Sequence, residues 1–227
     1  MHTDKTWPWL NPMFASLMRR STVPEILDGH FVPEEAARRA HIDLTRAHRW
    51  LGHNRTVVRA LRRHPYPLRR VLDVGCGHGG LLEEIQLRLG VDVIGMDLRP
   101  PRRAPVPVLR GDAIRDPLPP CDAAVAVCLV HHLTREELVE LIRNVGRSAR
   151  RFIVLDLERH PLPLALFRAF VAPFVCRINA LDGVQSIRRS YTPFELNAIA
   201  HEAVGGRAAV THRVAPLYVH QLMDISW

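Results

Sequence analysis

The chain has few cysteines and lacks the common metal-binding motifs. No two of its four cysteines are separated by two residues, and its thirteen histidines form neither H-x-x-x-H nor H-E-x-x-H. Such patterns are typical of zinc sites, and cysteine-dense spacing is typical of small disulfide-bonded domains. The sequence therefore predicts no metal site and free thiols in a reducing cytoplasm, at Cys76, Cys121, Cys128 and Cys176.

Long apolar runs are also lacking. The most apolar stretch, residues 162–176, is interrupted by Arg168 and Pro173 and is shorter than the about 20 residues that cross a bilayer. The N-terminus lacks the basic start and apolar core of a secretory signal. We therefore expect a cytoplasmic chain without a transmembrane segment, for which peripheral membrane contact stays open.

Lysine is almost absent, since Lys5 is the only one, yet the net charge is +8. A positive charge of this size can indicate nucleic acid or an anionic membrane as a partner. The arginines are scattered, however, and their densest stretch, residues 59–70, is also explained by a solvated helix end. Arginine in place of lysine is typical of GC-rich genomes, so we expect no nucleic-acid partner and either a monomer or a homodimer.

Two kinds of pattern follow each other along the chain. Residues 1–66 predict a loosely structured arm and two helices, residues 33–51 and 54–64, with Asn54 capping the second. Residues 67–227 predict an α/β core. Its strands are predicted at 70–74, 91–97, 106–110, 122–129 and 151–157, its helices at 79–89, 134–149 and 192–203, and a terminal hairpin at 208–214 and 217–225. Strands that alternate with helices predict a doubly wound, mostly parallel sheet.

A glycine-rich loop follows the first predicted strand, in the string VLDVGCGHGG at residues 71–80. Glycines between a strand and a helix allow a tight turn and a close approach of the backbone to a nucleoside. The second strand ends about twenty residues further on in Asp97, where a carboxylate can bind both hydroxyls of a ribose. After the third strand, Asp112 can accept from an adenine amino group and the Ala113 amide can donate to a ring nitrogen.

These strings, with GMD at 95–97, GDA at 111–113 and CDAAVAVCLVHHL at 121–133, resemble class I methyltransferases that use S-adenosylmethionine (SAM). The resemblance is strongest to the small-molecule group that includes ubiquinone and polyketide methyltransferases. It covers residues 68–158, and YTPFEL at 191–196 extends it. It implies a Rossmann-like sheet of seven strands with the last one antiparallel, SAM as cofactor, S-adenosylhomocysteine (SAH) as product, and cofactor contacts from Asp73, Gly75, Cys76, Gly77, Asp97, Leu98, Asp112, Ala113 and Cys128.

The resemblance also places the methyl acceptor at the end of the fourth strand, beside His131 and His132. A histidine has a suitable pKa for removing the proton of an acceptor hydroxyl. We therefore name His132, and secondarily His131, as candidate bases, although paired histidines there can also be packing or cofactor-contact residues. Asp156 can line the acceptor pocket or bond neighbouring backbone. Arg188 and Arg189 can bind an acidic acceptor, but we expect them in an exposed loop.

The apolar insert at about residues 160–180 predicts a buried helix. Its interpretations are a lid over an apolar acceptor, plain core, or a dimer contact. The N-terminal helices, with Trp50 and Asn54, are expected to close the site from the other side and to exclude water.

The sequence thus favours an enzyme that methylates a hydroxyl of a hydrophobic aromatic or polyketide-type metabolite of secondary metabolism. An RNA or protein methyltransferase is the alternative that the basic charge supports, although no N/D-P-P-Y/F motif follows the fourth strand. A non-catalytic partner protein with a SAM fold is disfavoured by the intact glycines and Asp97. The G-x-G-x-G spacing disfavours a nicotinamide-dependent dehydrogenase.

Overall fold

The computed structural model describes residues 18–29, 32–63 and 66–227. The predicted arm at residues 1–23 therefore lies largely outside the described residues. The helices are α1 (Glu34–Trp50), α2 (His53–Leu61), α3 (Gly80–Leu89), α4 (Arg135–Ser148), α5 (Pro161–Phe170), α6 (Arg177–Arg189) and α7 (Pro193–Val204). The strands are β1 (Arg70–Val74), β2 (Asp92–Asp97), β3 (Val108–Arg110), β4 (Ala123–Val127), β5 (Arg151–Asp156), β6 (Ala209–Val214) and β7 (Gln221–Ser226).

The strands form one sheet in the order β3-β2-β1-β4-β5-β7-β6. Strands β1 to β5 pair in parallel, and β7 runs antiparallel to both of its neighbours. The first strand, β1, therefore lies inside the sheet. Strands β2 and β3 are added on one side of it, and β4 and β5 on the other, so the order of the strands reverses between β1 and β4. In a doubly wound sheet this reversal opens a crevice at the carboxyl ends of the strands. The predicted fold class is confirmed.

Each face of the sheet has its own apolar core. On one face, α4 and α7 bury leucine and isoleucine side chains such as Leu141 and Ile199 against Phe152. On the other face, α2 and α3 bury Leu61 and Ile85 against the same sheet. The six residues of β5 are all buried, as expected for a strand that is covered on both sides.

Local sequence explains where the two best-defined helices begin. Thr134 accepts a hydrogen bond from the amide of Glu137, whose side chain accepts in return from the Thr134 amide. Thr192 and Glu195 form the same reciprocal cap before α7, with Pro193 in its first turn. These caps satisfy amides that have no partner within the helix, and the predicted start of α7 at Thr192 is confirmed.

Two predictions about helices are wrong. Asn54 does not cap α2, because the helix begins at His53 after Gly52. Asn54 lies inside the helix, where its side-chain amide donates to Glu84 at 2.7 Å. Helix α6 occupies a segment for which no helix is predicted. The buried side of α6 consists mostly of polar residues, including Asn179, Asp182 and Ser186. The apolar periodicity that marks a buried helix is therefore missing from its sequence.

Candidate active site

A cleft of about 270 Å³ lies at the carboxyl ends of β1 and β4. The glycine loop, α6 and the end of α5 all contribute to the lining of this cleft. Among the residues with predicted roles, seven line it: Asp73, Gly75, Cys76, Gly77, Cys128, His131 and His132. The structure therefore brings the predicted cofactor loop and the predicted acceptor-side histidines into one cavity.

The glycine loop is bonded to the end of β2. The Gly77 amide donates to Asp97 Oδ2 at 2.8 Å, and the Gly75 amide donates to the Met96 carbonyl at 2.8 Å. Gly75 has a φ of 71°, and a Cβ there would lie 2.7 Å from Leu129 Cδ1. Only glycine adopts that conformation readily, so the loop needs glycine at this position.

Asp73 is buried in β1 and lines the cleft. Its Oδ1 accepts no hydrogen bond from the residues that the structure describes. Burial, and then the nearby charge of Asp97, raise the pKa of Asp73 well above its usual value. A buried carboxylate without a partner is costly, so this oxygen is suited to a cationic ligand group.

Four predicted cofactor residues lie outside the cleft lining. Asp97 faces the outer side of the glycine loop, where its Oδ1 also accepts from the Arg99 amide at 2.8 Å. Leu98 follows it and is 62% exposed. Asp112 Oδ1 accepts from the Ile114 amide at 2.9 Å, and the Ala113 carbonyl accepts from Asn144 at 2.9 Å. Their roles in binding an adenosyl group stay predictions.

Cys128 directly follows β4 and lines the cleft. Its φ of 51° is unusual for a residue other than glycine, and its amide donates to the Leu155 carbonyl at 2.9 Å. Its Sγ lies 3.7 Å from Nδ1 of His53. Burial, together with Asp156 and Glu25, raises the pKa of the thiol well above its usual value, so Cys128 is a neutral side chain and not a nucleophile.

His131 is buried and has a carboxylate at each ring nitrogen. Nδ1 lies 2.7 Å from Asp156 Oδ1, and Nε2 lies 3.4 Å from Glu25 Oε1. Burial alone lowers the pKa of His131, but Asp156 and Glu25 outweigh it and raise the pKa to about 10. In this arrangement neither nitrogen is available to take a proton from an acceptor. His131 therefore does not fit the role of a general base.

His132 is the more accessible member of the pair, with 27% of its side chain exposed. Its Nδ1 lies 3.2 Å from Asp28 Oδ2, and its Nε2 lies 3.9 Å from Glu25 Oε2. The Asp28 contact fixes the ring, and Nε2 then faces Glu25, which also lines the cleft. His132 stays the candidate for activating an acceptor.

The short 3-10 turn Val130–His132 that carries this pair is bound by two arginines. Arg189 donates to the carbonyls of His131 and His132, and Arg20 donates to the carbonyl of His131. Arg189 is buried at the end of α6, so the prediction of an exposed loop is wrong for this residue. The guanidinium of Arg189 also donates to Asp28 Oδ2 at 3.2 Å. The side chain can be buried because these acceptors satisfy its donors.

Asp156 is buried and lies outside the cleft lining. It accepts from the amides of His131 and Leu157 as well as from the His131 ring. Of its two predicted roles, bonding neighbouring backbone is the one that the structure supports.

The segment 24–29 contributes residues that the sequence interpretation missed. Glu25 lines the cleft, and Asp28 orients His132. Asp182 of α6 holds this segment, because its carboxylate accepts from the amides of Ile26 and Leu27 at 2.7 and 3.0 Å. These contacts join positions more than 100 residues apart, and no local pattern in the sequence announces them.

The apolar insert forms part of the cleft wall but is not fully buried. Phe167, Val171 and Val175 line the cleft, whereas Phe170 and Phe174 are 61% and 83% exposed. The prediction of a buried helix is therefore only partly right. From the N-terminal side, the cleft is lined by Leu44, Ala47, Leu51, His53 and Asn54, while Trp50 is 75% exposed and is not part of the lining.

Residues 71–152 match the family model of the methyltransferase domain. Solved structures that share the fold include the plantazolicin methyltransferase BpumL with SAH, which has a TM-score of 0.64 and 14% identity over 86% of this chain and 91% of that one. The methyltransferase domain of bacterial CtHen1 has a TM-score of 0.57 and 16% identity over 77% of this chain and 96% of that one. Human N-acetylserotonin methyltransferase with SAM has a TM-score of 0.59 and 17% identity over 96% of this chain and 66% of that one. No curated protein matches the sequence significantly.

Residues 71–152 are a methyltransferase domain. The lining of the methyltransferase cleft fits SAM, because the unpartnered Asp73 Oδ1 and the glycine loop lie on the same wall. SAM carries an ammonium group that can pair with a buried carboxylate, and its nucleoside needs a close approach of the backbone.

The methyltransferase has four free cysteines, as predicted. Among the described residues, no helix is long and apolar enough to cross a membrane.

Proposed function

We propose that this methyltransferase methylates a hydroxyl group of a hydrophobic small molecule, such as an aromatic or polyketide-type metabolite, in the cytoplasm. The observation that carries the proposal is the composition of the cleft. The cleft is lined by glycine-loop residues, by His132 and Glu25, and by apolar side chains of α1, α5 and α6. Apolar pockets with a few convergent polar groups are typical of small-molecule sites.

The apolar part of the cleft is proposed to hold the acceptor. Leu44 and Leu51 come from the N-terminal helices, and Phe167, Val171 and Ile187 come from the other side. Side chains from both sides restrict water and orient a ring between them. Alignment of the two reacting groups is a large contribution that a protein makes to a displacement reaction.

At the other end, the cofactor supplies a methyl group on a positively charged sulfur. We propose that Asp73 binds its ammonium group and that the backbone at Gly75, Cys76 and Gly77 contacts the nucleoside. Asp97, the neighbouring Leu98, Asp112 and Ala113 are proposed to bind the adenosyl portion along the outer side of the loop.

His132 is proposed to activate the acceptor hydroxyl. It lines the cleft, it is partly exposed, and Asp28 fixes its ring through Nδ1. Since removal of the hydroxyl proton makes the oxygen a better nucleophile, an imidazole at this place raises the rate.

The test is a methyl-transfer assay with labelled SAM against phenolic and polyketide-type acceptors, compared with matched amines. We expect transfer to at least one hydroxylated acceptor and a large loss of kcat in His132→Gln with little change in SAH affinity. Transfer to amines alone would contradict hydroxyl specificity, and transfer to none of the acceptors would contradict the small-molecule proposal.

RNA is the second candidate acceptor, because the structure contains a basic groove. Arg59 of α2, Arg63 just after that helix, and Arg151 and Arg213 of the sheet line a groove of about 410 Å³. Asp224 also lines it and pairs with Arg151. Binding of RNA there would weaken steeply with salt. Salt-dependent RNA binding that Arg59→Ala and Arg63→Ala abolish would favour this alternative over a metabolite.

A further inference from the structure

We propose that Glu25, His131 and His132 bind a divalent transition-metal ion at the centre of the cleft. The three ligand atoms, one from each side chain, all lie within 4.8 Å of one another. Glu25 Oε1 is 3.4 Å from His131 Nε2, and Glu25 Oε2 is 3.9 Å from His132 Nε2. In a tetrahedral site with bonds of about 2.0–2.2 Å, ligand atoms are roughly 3.4 Å apart. Side-chain shifts of less than about 1 Å would complete such a site.

The second nitrogen of each imidazole is already bonded to a carboxylate. Asp156 contacts Nδ1 of His131 at 2.7 Å, and Asp28 contacts Nδ1 of His132 at 3.2 Å. This arrangement fixes both rings with Nε2 facing Glu25, as outer carboxylates do for metal-binding histidines. A metal ion would take the place of the proton between His131 Nε2 and Glu25. Glu25 is fixed in turn by Ser186, whose hydroxyl donates to Oε1 at 2.8 Å.

The charge around the site favours a cation. The carboxylates of Glu25, Asp28 and Asp156 contact the two rings, and two guanidinium groups lie nearby. Arg20 and Arg189 donate hydrogen bonds to the backbone carbonyl of His131 and not to its ring, and Arg189 also donates to Asp28. Metal binding displaces the proton of His131, and the three carboxylates then outnumber the two guanidinium groups, so the ligand cluster itself is net negative. Two imidazoles and one carboxylate are a ligand set that suits Zn²⁺, Mn²⁺ and Fe²⁺.

The site has access to the acceptor region, because all three side chains line the cleft. Three protein ligands leave a coordination position for an oxygen of the acceptor. A metal ion there lowers the pKa of a bound hydroxyl, and the proton passes to solvent. This role rests on the proposed function, methylation of an acceptor hydroxyl in this cleft. With the metal bound, His132 contributes to activation of the hydroxyl as a ligand of the ion and does not itself take the proton. Adjacent histidines joined to a distant glutamate follow no sequence motif, so the sequence predicts no metal.

The test is calorimetric titration of the full chain, stripped with a chelator, with Zn²⁺ and Co²⁺. We expect one ion per chain for the native protein and for His201→Gln, a control that removes an exposed histidine of α7. Glu25→Gln and His132→Gln are expected to weaken binding by at least ~10-fold. Because His132 is partly exposed, its variant is expected to fold, which circular dichroism checks.

The proposal would be overturned if the native chain bound no metal. It would also be overturned if the native chain and the three variants bound metal with equal affinity. Visible absorption of the Co²⁺ form provides a second readout, since a nitrogen- and oxygen-bound tetrahedral ion differs in its spectrum from the hydrated one. SAH binding is measured on the same samples. A chain that binds SAH without metal contradicts the metal site alone, whereas a chain that binds metal without SAH contradicts the proposed function alone.

Discussion

The carboxylate of Asp156 lies 2.7 Å from Nδ1 of His131, and both side chains are buried. Asp156 is the last residue of β5, and His131 belongs to the turn after β4. Because β4 and β5 are neighbours in the sheet, this contact fixes the turn that carries both histidines of the cleft. The position of His132 therefore depends on a buried pair that does not itself line the cleft.

Asp156→Asn is expected to destabilise the fold by roughly 2–4 kcal/mol, because it removes one charge of a buried pair. The pKa of Asp156 is lowered although burial raises it, since the contacts with His131 outweigh burial. Urea unfolding measures the change. Asp92→Asn, at an exposed pair, is the control and should change the unfolding free energy little. Equal stability of the two variants would contradict the structural role of the pair.

Gly75→Ala is expected to weaken SAH binding and to reduce stability by about 1–2 kcal/mol, because alanine is strained at a φ of 71°. Gly90→Ala is the matched control. Gly90 has a φ of 66°, and a Cβ there meets no atom within 4 Å. Both variants should lose stability in thermal unfolding, Gly75→Ala the more because its Cβ also meets Leu129, but only Gly75→Ala should lose SAH affinity. Equal affinities would show that the loop does not contact the cofactor.

Phe167→Ala is expected to raise KM for a hydrophobic acceptor several-fold with little effect on SAH affinity. Phe167 lines the cleft, and its ring packs so closely on Gly183 that a Cβ there would collide with it. Phe174→Ala removes a ring that is 83% exposed and serves as the control. Steady-state kinetics with the best acceptor found distinguishes the two. A larger effect of Phe174→Ala would place the acceptor elsewhere.

Glu158 makes stability depend on pH. It is 1% exposed, and burial raises its pKa from 4.5 to about 8. The unfolded chain ionises Glu158 at a lower pH than the folded one does, so stability falls as pH rises from about 4.5 to about 8 and then levels off. The loss is on the order of a few kcal/mol.

The check is urea unfolding of Glu158→Gln across this pH range, beside the exposed control Glu140→Gln. The Glu158 variant should lose less stability than the native chain between pH 4.5 and 8, while the control should follow the native chain. Parallel curves for all three proteins would refute the assignment.

The sequence predicts the sheet and the cofactor loop because both are local patterns. The apolar runs of β1 and β5 and the glycines between β1 and α3 are each contained in a short segment. Helix α6 is missed because its buried side contains Asn179 and Asp182. These side chains are buried because they bond backbone at Ala40 and Ile26.

The centre of the cleft is not predictable in the same way. Glu25 and Asp28 meet His131 and His132 only after the chain has folded, across more than 100 residues. His131 illustrates the consequence. The sequence shows a histidine with an ordinary pKa, whereas its two carboxylate neighbours remove it from acid-base chemistry near neutral pH.

Calorimetric titration with SAH measures whether the glycine loop and Asp97 bind the cofactor. We expect micromolar binding of one SAH per chain, a loss of binding in Asp97→Ala, and intermediate binding in Asp97→Asn, which keeps an acceptor for the Gly77 amide. A native chain that binds no SAH, or an Asp97→Ala variant that binds it with native affinity, would contradict this assignment of the site.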